Sequence, residues 1–405
     1  MKKVLTFVLL ACVLVALSFG ATTITVSGWP GNPTEEAGIK AVIDAFNASQ
    51  DQIVAVWEPV PGDFRQMLIT RLSAGTGPDI FYVDVNWFDE VAGKNLLLGL
   101  DMYIRRDGYD VEDFYASLID GFSYRDRVYG FPKDFSTLAL FYNKEMFDKA
   151  GVAYPNHEDS WNDFRVKLEE LKAAGIETPL VIVPDVNRFL PLVYSFGGQF
   201  VDENLDSAID DPKTVKALDY YVSLVQDGLA QEPASVGATW IGEAFGKGEV
   251  ALAMSGPWSV GYLRDSFPQT WEKTAIAELP HGEKRSTMIY TVCYAINRGT
   301  PNKDAAWEVL KYLTGVEGQG LWAEKTGILA SRQSLAVLDT DPTKTAFYLG
   351  AEYGSAWKVE TPSGIFSEAN TQINSVLKDL FYEETTLDEA VQFIKANYAS
   401  WVEER

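Results

Sequence analysis

Hydrophobic and polar positions along this 405-residue chain follow two periodicities, one typical of strands and one typical of helices. Residues 22–27 (TTITVS) and residues 53–57 (IVAVW) each show a two-residue alternation of side chains, which indicates strands. Between them, apolar side chains within residues 39–46 recur at the spacing i, i+3, i+4, i+7. That spacing predicts an amphipathic helix, so the chain begins strand, helix, strand.

The same alternation continues along the chain and predicts an α/β fold with largely parallel sheets. The last helix starts with TLDE at residues 386–389, a capping box. The further predicted elements are a helix at 64–72, strands at 79–83, 180–183, 250–254 and 289–296, and helices at 303–314 and 387–402.

The first twenty residues have the pattern of a secretory signal peptide. A basic start (MKK) is followed by an apolar run at residues 4–17 and by small residues around Gly20, which predicts cleavage between Gly20 and Ala21. A membrane anchor is the competing interpretation. A run of about 14 apolar residues is short, however, because a spanning helix needs about 20.

The two cysteines bear on localisation. Cys12 follows LLA at residues 9–11, so an alternative to cleavage after Gly20 is a lipid anchor at Cys12 on the cell surface. Otherwise Cys293 is the one cysteine left after cleavage, and no intramolecular disulfide is expected. We therefore expect a protein secreted across the inner membrane, soluble in the periplasm.

Composition narrows the class of protein. Hydrophobic residues make up 47% and charged residues 22%, and 405 residues at about 150 per domain indicate two large lobes. A formal net charge of −23 disfavours nucleic acid and anionic membranes as partners, because phosphate groups would be repelled. Two histidines, His157 and His281, leave little material for a histidine-based metal cluster or a Ser-His-Asp triad.

Motifs of the common enzyme classes are missing. The chain contains no GxGxxG, GxxxxGK[ST], HExxH, CxxC or GxSxG pattern, so we expect no cofactor, no metal and no catalytic residues. Asp and Glu total 57, so pairs of acids are too common to identify a glycosidase dyad.

Aromatic and acidic residues gather at the ends of predicted strands. Trp29 follows the first strand, Asp84 and Trp87 follow the strand at 79–83, and Trp258 follows the strand at 250–254. In open α/β sheets, ligands lie beyond the carboxyl ends of the strands, so these side chains are candidates for ligand contact. A sugar suits them, because its C–H face covers an indole while its hydroxyls donate to carboxylates.

Six motifs, in the same order, resemble one family along essentially the whole mature chain. The family comprises the extracellular solute-binding proteins of ABC sugar importers, the maltose-binding-protein-like group (family 1 solute-binding proteins). The motifs are LSAGTGPD (72–79), VYGFP (128–132), LFYNK (140–144), FGG (196–198), FGKGEVALAM followed by GPW (245–258), and PNK (301–303).

The resemblance implies a two-lobed periplasmic-binding-protein fold of type II, in which two α/β domains joined by a multi-crossover hinge close on a ligand. It implies an N-terminal lobe of residues 21–133 plus 290–335 and a C-terminal lobe of residues 134–289 plus 336–405. A membrane permease of an ABC transporter is the implied protein partner, and we expect a monomer.

The resemblance also implies roles for particular residues. Trp258 is placed as a stacking platform, Asp84 as a hydroxyl acceptor, and Asp134 at the first crossover as a polar ligand contact. Glu35 is a further hydroxyl acceptor, and Arg332 in GILASR (327–332) resembles a family arginine. A surface charge or an interlobe ion pair is the alternative for Glu35 and Arg332. Further ligand-binding candidates are Asn187, Trp240 and Tyr290.

These observations together predict a binding protein that captures a neutral mono- or oligosaccharide and delivers it to a membrane permease. Two alternatives stay open. A secreted glycosidase or lyase would turn over glycans, and a same-fold binder of a polyamine would hold its ligand through carboxylates and cation–π contacts.

Overall fold

The structure, a computed structural model, describes residues 21–202, 206–337, 339–356 and 367–402 of the chain. The expected signal peptide at residues 1–20, with Cys12, lies outside the described residues. Two large β-sheets form the centres of two α/β lobes, as the resemblance implied. Among the described helices, none has both the length and the apolar character needed to cross a bilayer.

The chain first builds most of one lobe. Its elements are β1 (Thr22–Gly28), α1 (Pro33–Ser49), β2 (Ile53–Pro59), α2 (Phe64–Ser73), β3 (Ile80–Asp84), a 3-10 helix (Val85–Trp87), α3 (Phe88–Gly93), α4 (Asp101–Asp107), α5 (Ala116–Gly121), β4 (Ser123–Tyr124), β5 (Arg127–Val128) and β6 (Gly130–Thr137).

The chain then builds the second lobe and returns. The elements are β7 (Ala139–Asn143), α6 (Lys144–Ala150), α7 (Trp161–Ala173), β8 (Thr178–Val181), α8 (Val186–Ser195), α9 (Pro212–Gln226), β9 (Ala230–Gln231), a 3-10 helix (Pro233–Val236), α10 (Ile241–Gly246), β10 (Val250–Ser255), α11 (Trp258–Ser266), α12 (Pro268–Trp271), β11 (Thr274–Ala277) and β12 (Met288–Ile296).

The last part of the chain adds helices to both lobes. They are α13 (Lys303–Leu313), α14 (Val316–Thr326), α15 (Gln333–Ala336), a 3-10 helix (Pro342–Lys344), α16 (Thr345–Tyr353), α17 (Ser367–Phe381) and α18 (Leu387–Val402), with the short strand β13 (Ser355–Ala356) before α17.

The first sheet has the strand order β13-β12-β3-β1-β2, and β6 pairs with β12 beside this path. Helix α1 covers it with the predicted apolar face, because Ile39, Val42, Ile43 and Phe46 are all buried. Trp307 of α13 is fully buried in the same core. Burial of such large side chains is the main source of stability for this lobe.

The second sheet has the order β11-β7-β10-β8-β9, and its core is filled by side chains of α7, α8, α9, α17 and α18. Helix α18 begins as predicted: the Thr386 hydroxyl accepts from the amide of Glu389, whose carboxylate accepts from the Thr386 amide. This capping box is confirmed, and the buried Tyr398 and Trp401 anchor the helix on the lobe.

Both sheets are mixed, so the prediction of largely parallel sheets is wrong. Strand β1 runs parallel to β2 and β3, but β12 runs antiparallel to β3 and β6, and β7 runs antiparallel to β10 and β11. The reason is topological. Strand β7 enters the second sheet at the end that faces the first lobe, where β10 ends. Strand β12 enters the first sheet at the end that faces the second lobe, where β3 ends. Each strand therefore runs opposite to that neighbour.

The chain crosses between the lobes three times. Strand β6 leads into β7 of the second sheet, β12 leads back to the first, and the segment after α14 leads to α16, which packs on β6 and β7. Strands β6 and β12 pair side by side along the connection. They form the floor of the cleft between the lobes.

Candidate functional site

A cavity of about 170 Å³ lies above the paired crossover strands, between the lobes. We call it the inner cavity. The first lobe supplies one wall, the crossover strands the floor and the second lobe the opposite wall. Its lining residues are Trp29, Glu35, Lys133, Asp134, Ser136, Trp258, Tyr290, Thr291, Val292 and Ile328.

An irregularity in β6 points two neighbouring charged side chains into this cavity. The register with β12 pairs Asp134 with Val292 and Pro132 with Cys293, which leaves Lys133 as an extra residue. Successive side chains of a regular strand point to opposite faces, but a bulge breaks this alternation. Lys133 and Asp134 therefore both line the cavity, and both are buried.

The Asp134 carboxylate is held by two donors. The ammonium group of Lys133 pairs with Oδ2, and the indole N–H of Trp322 donates to the same oxygen at 3.1 Å. The Lys133 ammonium also lies 3.9 Å from the centre of the Trp322 ring. The carboxylate is thus fixed in place through Oδ2, with a neutralising charge beside it.

Asp84 lies beside Val292 of β12, on the side opposite to Asp134. Val292 pairs with Asp84 of β3 and with Asp134 of β6, so the two acids share one row across the sheet. Asp84 Oδ1 accepts from the amide of Asn86 at 2.9 Å. Burial raises the pKa of Asp84 to about 6, against the lowering effect of that hydrogen bond, and the charge of Asp134 raises it further.

Glu35 enters the site from the first turn of α1. The side chain of Asn32 caps this helix, accepting from the amides of Thr34 and Glu35, and its Nδ2 donates to Glu35 Oε1 at 2.9 Å. Burial raises the pKa of Glu35 to about 7; Lys133 opposes this and Asp134 adds to it. Near neutral pH, Glu35 therefore changes readily between proton donor and acceptor.

An indole from each lobe faces the inner cavity. Trp29 follows β1 and is held edge-on by Tyr82, at 5.2 Å between ring centres, and by Phe64, at 5.7 Å. Trp258 is the first residue of α11 and packs against the cores of both lobes. A Cβ on Gly256 would overlap its indole, so glycine at that position allows the ring to lie where it does.

Tyr290 supports Trp258 from β12. The two rings meet edge to face at 5.5 Å, and the guanidinium of Arg188 lies 5.4 Å from the Trp258 ring and 5.3 Å from the Tyr290 ring. The Tyr290 hydroxyl donates to the carbonyl of Asn187 and accepts from Arg188 Nη1. Within the described part of the chain, Asn187 Oδ1 and Arg188 Nε are buried without a hydrogen-bond partner. An enclosed water molecule would satisfy them.

Trp240 lies at a second opening, which continues from the inner cavity at Glu35 and Trp258. We call it the outer groove; its volume is about 530 Å³. Its lining residues are Gly31, Asn32, Pro33, Glu35, Thr239, Trp240, Glu243, Trp258 and Tyr262.

Four of the predicted site residues are not among those that line the inner cavity or the outer groove: Asp84, Trp87, Asn187 and Arg332. Trp87 is buried in the core of the first lobe, because the 3-10 helix after Asp84 turns its indole inward. Arg332 is 3% exposed, and its guanidinium donates to Asp113 at 2.9 Å, Tyr109 at 2.8 Å and the carbonyl of Thr314 at 2.7 Å. All these partners belong to the first lobe, as Arg332 does, so its ion pair lies within that lobe and is neither a ligand contact, a surface charge nor an interlobe pair.

Sequence reasoning missed several residues that the structure brings to the site. Lys133 and Ser136 lie on β6, and only the bulge reveals that Lys133 shares the cavity with Asp134. Tyr262 lies four residues after Trp258 on α11, and that spacing alone could have identified it. Arg188 reaches the site through a contact that no local pattern indicates.

Comparisons with known proteins identify sequence relatives and structural neighbours of the chain. A binding protein of Brucella abortus (strain 2308) is 27% identical over 308 residues, covering 73% of this chain and 72% of its own. The galactooligosaccharide-binding protein of Bacillus subtilis is 23% identical over 380 residues, covering 88% and 86%. A structure of an ABC substrate-binding protein of Listeria monocytogenes with cycloalternan has a TM-score of 0.86 at 21% identity, covering 95% of this chain and 100% of that one.

The family model for bacterial extracellular solute-binding proteins matches residues 30–320, well over half of the chain. That range contains both walls and the crossover strands of the inner cavity, apart from Trp29 and Ile328. With a two-lobed fold, a cleft on the crossover strands and this match, the chain belongs to the bacterial extracellular solute-binding proteins.

Proposed function

We propose that this protein is the substrate-binding component of an ABC transporter and captures a neutral mono- or oligosaccharide between its lobes. One observation carries the proposal: Trp29 and Trp258 from opposite lobes face one cavity that also holds Glu35 and Asp134. Indole faces and carboxylate rims suit the C–H faces and hydroxyls of a sugar.

The charge balance of the inner cavity favours a neutral ligand. Asp134 is already paired with Lys133, and burial favours the uncharged form of Glu35 below about pH 7. A polyamine would have to compete with Lys133 for Asp134, and an anion would approach the buried carboxylate of Asp134 and the half-buried carboxyl group of Glu35. A hydroxyl can donate to either acid and accept from Lys133 without adding charge.

Relatives of the protein support the same class of ligand. The Bacillus subtilis relative is a galactooligosaccharide-binding protein, and the Listeria monocytogenes structure is a complex with cycloalternan. We propose transport rather than turnover for this chain as well. Thin-layer chromatography after incubation with oligosaccharides should show no hydrolysis products; release of shorter sugars would favour a glycosidase instead.

We propose that the moving bodies are residues 21–133 plus 290–335 and residues 134–289 plus 336–405, with residues 1–20 removed. Contacts between these bodies surround the site. The Thr34 hydroxyl donates to Asp265 at 3.1 Å, and Asn32 Nδ2 lies 3.4 Å from the carbonyl of Trp258. A ligand that touches both walls stabilises this arrangement by its differential contacts, which is the clamp mechanism.

The test is a titration of Trp258→Ala, with Trp401→Ala as the matched control. Truncating the platform should weaken sugar binding at least tenfold, since a stacked ring and its burial are lost. Trp401 lies on α18 and is buried in the core of the second lobe, so its loss should lower the melting temperature and leave affinity near wild type. Calorimetry that shows equal loss of affinity in both, or no binding over a broad sugar panel, would contradict the proposal.

Delivery and export are tested separately. A membrane permease should show sugar-dependent ATPase activity only when this protein is added with its ligand. Mass spectrometry of the protein isolated from its host should find an N-terminus at Ala21 in the periplasm. A lipid-modified Cys12 at the N-terminus would instead support anchoring at the cell surface.

A further inference from the structure

The outer groove is about three times as large as the inner cavity and continues directly from it. The volumes are about 530 and 170 Å³, and Glu35 and Trp258 line both. The groove is built by both lobes, from the loop between β1 and α1 on one side and from α10 and α11 on the other. A ligand that passes Trp258 therefore enters a second interlobe space.

The groove has an aromatic surface of its own. Trp240, just before α10, and Tyr262, in α11, lie 4.9 Å apart between ring centres at an angle of 50°. A Cβ on Gly242 would overlap the Trp240 indole, so glycine lets this ring lie back on its helix, as Gly256 does for Trp258. Both rings are half-buried, with part of their surface in the groove.

Polar groups lie beside these rings. The Glu243 carboxylate accepts from the Thr239 amide at 2.8 Å and the Thr239 hydroxyl at 2.7 Å, and these bonds lower the pKa of Glu243. Glu243 is therefore ionised at neutral pH and can accept further hydroxyls. On the opposite wall, the side chain of Asn32 holds the start of α1 and Glu35 in place. The groove thus repeats the combination of ring faces and hydroxyl acceptors found in the inner cavity.

The volumes indicate how many sugar rings each space holds. Each water-sized group needs about 15 Å³ of cavity volume. The inner cavity, with about 170 Å³, therefore holds on the order of a dozen non-hydrogen atoms, which is the size of one hexose. On the same scale, 530 Å³ holds about three times as many atoms, enough for two or three further rings where the groove is filled.

We propose that the ligand is an oligosaccharide of three or four units that occupies both spaces. One terminal ring lies in the inner cavity between Trp29 and Trp258. The next units pass Trp258 and stack on the surface formed by Trp240 and Tyr262, with hydroxyls toward Glu243. This inference rests on the proposed sugar-binding function and adds the length of the ligand and the position of its second binding region.

The experiment compares ligands of increasing length on two tryptophan variants. The probes are glucose, maltose and maltotriose, together with galactose and its β-1,4-linked dimer and trimer. Trp240→Ala removes the outer surface. Trp271→Ala is the matched control, because Trp271 is a partly exposed tryptophan of the same lobe and packs on the core below β10 and β11.

In at least one series, the wild type should bind the trimer at least tenfold more tightly than the monomer. Trp240→Ala should remove most of that gain and leave the monomer's dissociation constant unchanged, while Trp271→Ala should keep it. Monomer and trimer of equal affinity, or an equal loss for every length in Trp240→Ala, would overturn the extended site and leave the proposed function standing. Absence of binding by all probes would overturn both.

Discussion

Replacing Glu35 with glutamine should remove a defined part of the pH dependence of folding stability. Burial raises the pKa of Glu35 from 4.5 to about 7, so the native protein keeps a proton at pH 5 that the unfolded chain has largely lost. As the pH rises through 7, the native state must ionise this half-buried carboxyl group. The free energy of unfolding therefore falls between about pH 5 and pH 8.

The magnitude follows from the pKa difference. One pKa unit corresponds to about 1.4 kcal/mol, so Glu35 alone lowers the free energy of unfolding by about 2 to 3 kcal/mol between pH 5 and pH 8. Asp84 acts in the same direction in a lower window, because burial raises its pKa from 3.8 to about 6. Its contribution remains in the variant, so the pH dependence should shrink and not vanish.

The assay is urea denaturation of the ligand-free protein at pH 5, 6, 7 and 8. Glu324→Gln is the control, since this carboxylate lies on the same lobe with 69% of its side chain exposed. The wild type and Glu324→Gln should lose stability together as the pH rises, and Glu35→Gln should lose about 2 to 3 kcal/mol less. Parallel curves for all three proteins would refute the burial argument.

Three further outcomes are expected. Sugar affinity should rise between pH 6 and pH 8, because hydroxyls donate more strongly to ionised Glu35 than to its protonated form; a constant Kd would contradict that contact. Gly261→Ala should weaken binding about tenfold, because the added methyl overlaps the backbone at the end of α14 only while the lobes touch. Gly320→Ala is the control, because its methyl would make only an ordinary van der Waals contact. Equal affinities of the two variants in calorimetry would argue against the interlobe contact. Lys133→Met should cost about 3–5 kcal/mol of unfolding free energy by leaving Asp134 unpaired, and adding Asp134→Asn should restore most of it; chemical denaturation showing no rescue would sink this explanation.

The local elements could be predicted because their signals are local. The helix face within residues 39–46 and the capping box at residues 386–389 depend on side chains one turn apart, and both are confirmed. Trp29 and Trp258 could be placed near a cleft because each follows a strand end. The directions of the strands could not be predicted, because they depend on the end of each sheet at which the chain re-enters it.

By itself, the amino-acid sequence determined the order of strands and helices, the two-lobed class and the group of aromatic and acidic residues from which a sugar site could be built. Only the tertiary structure decided which of them meet. The bulge at Lys133 moves a cation into the cavity, and Arg332 pairs with Asp113, 219 residues earlier, instead of reaching the cleft. Periodicity reports which face of an element is buried. The partner across that face is set by packing between residues far apart in the chain, which no local pattern records.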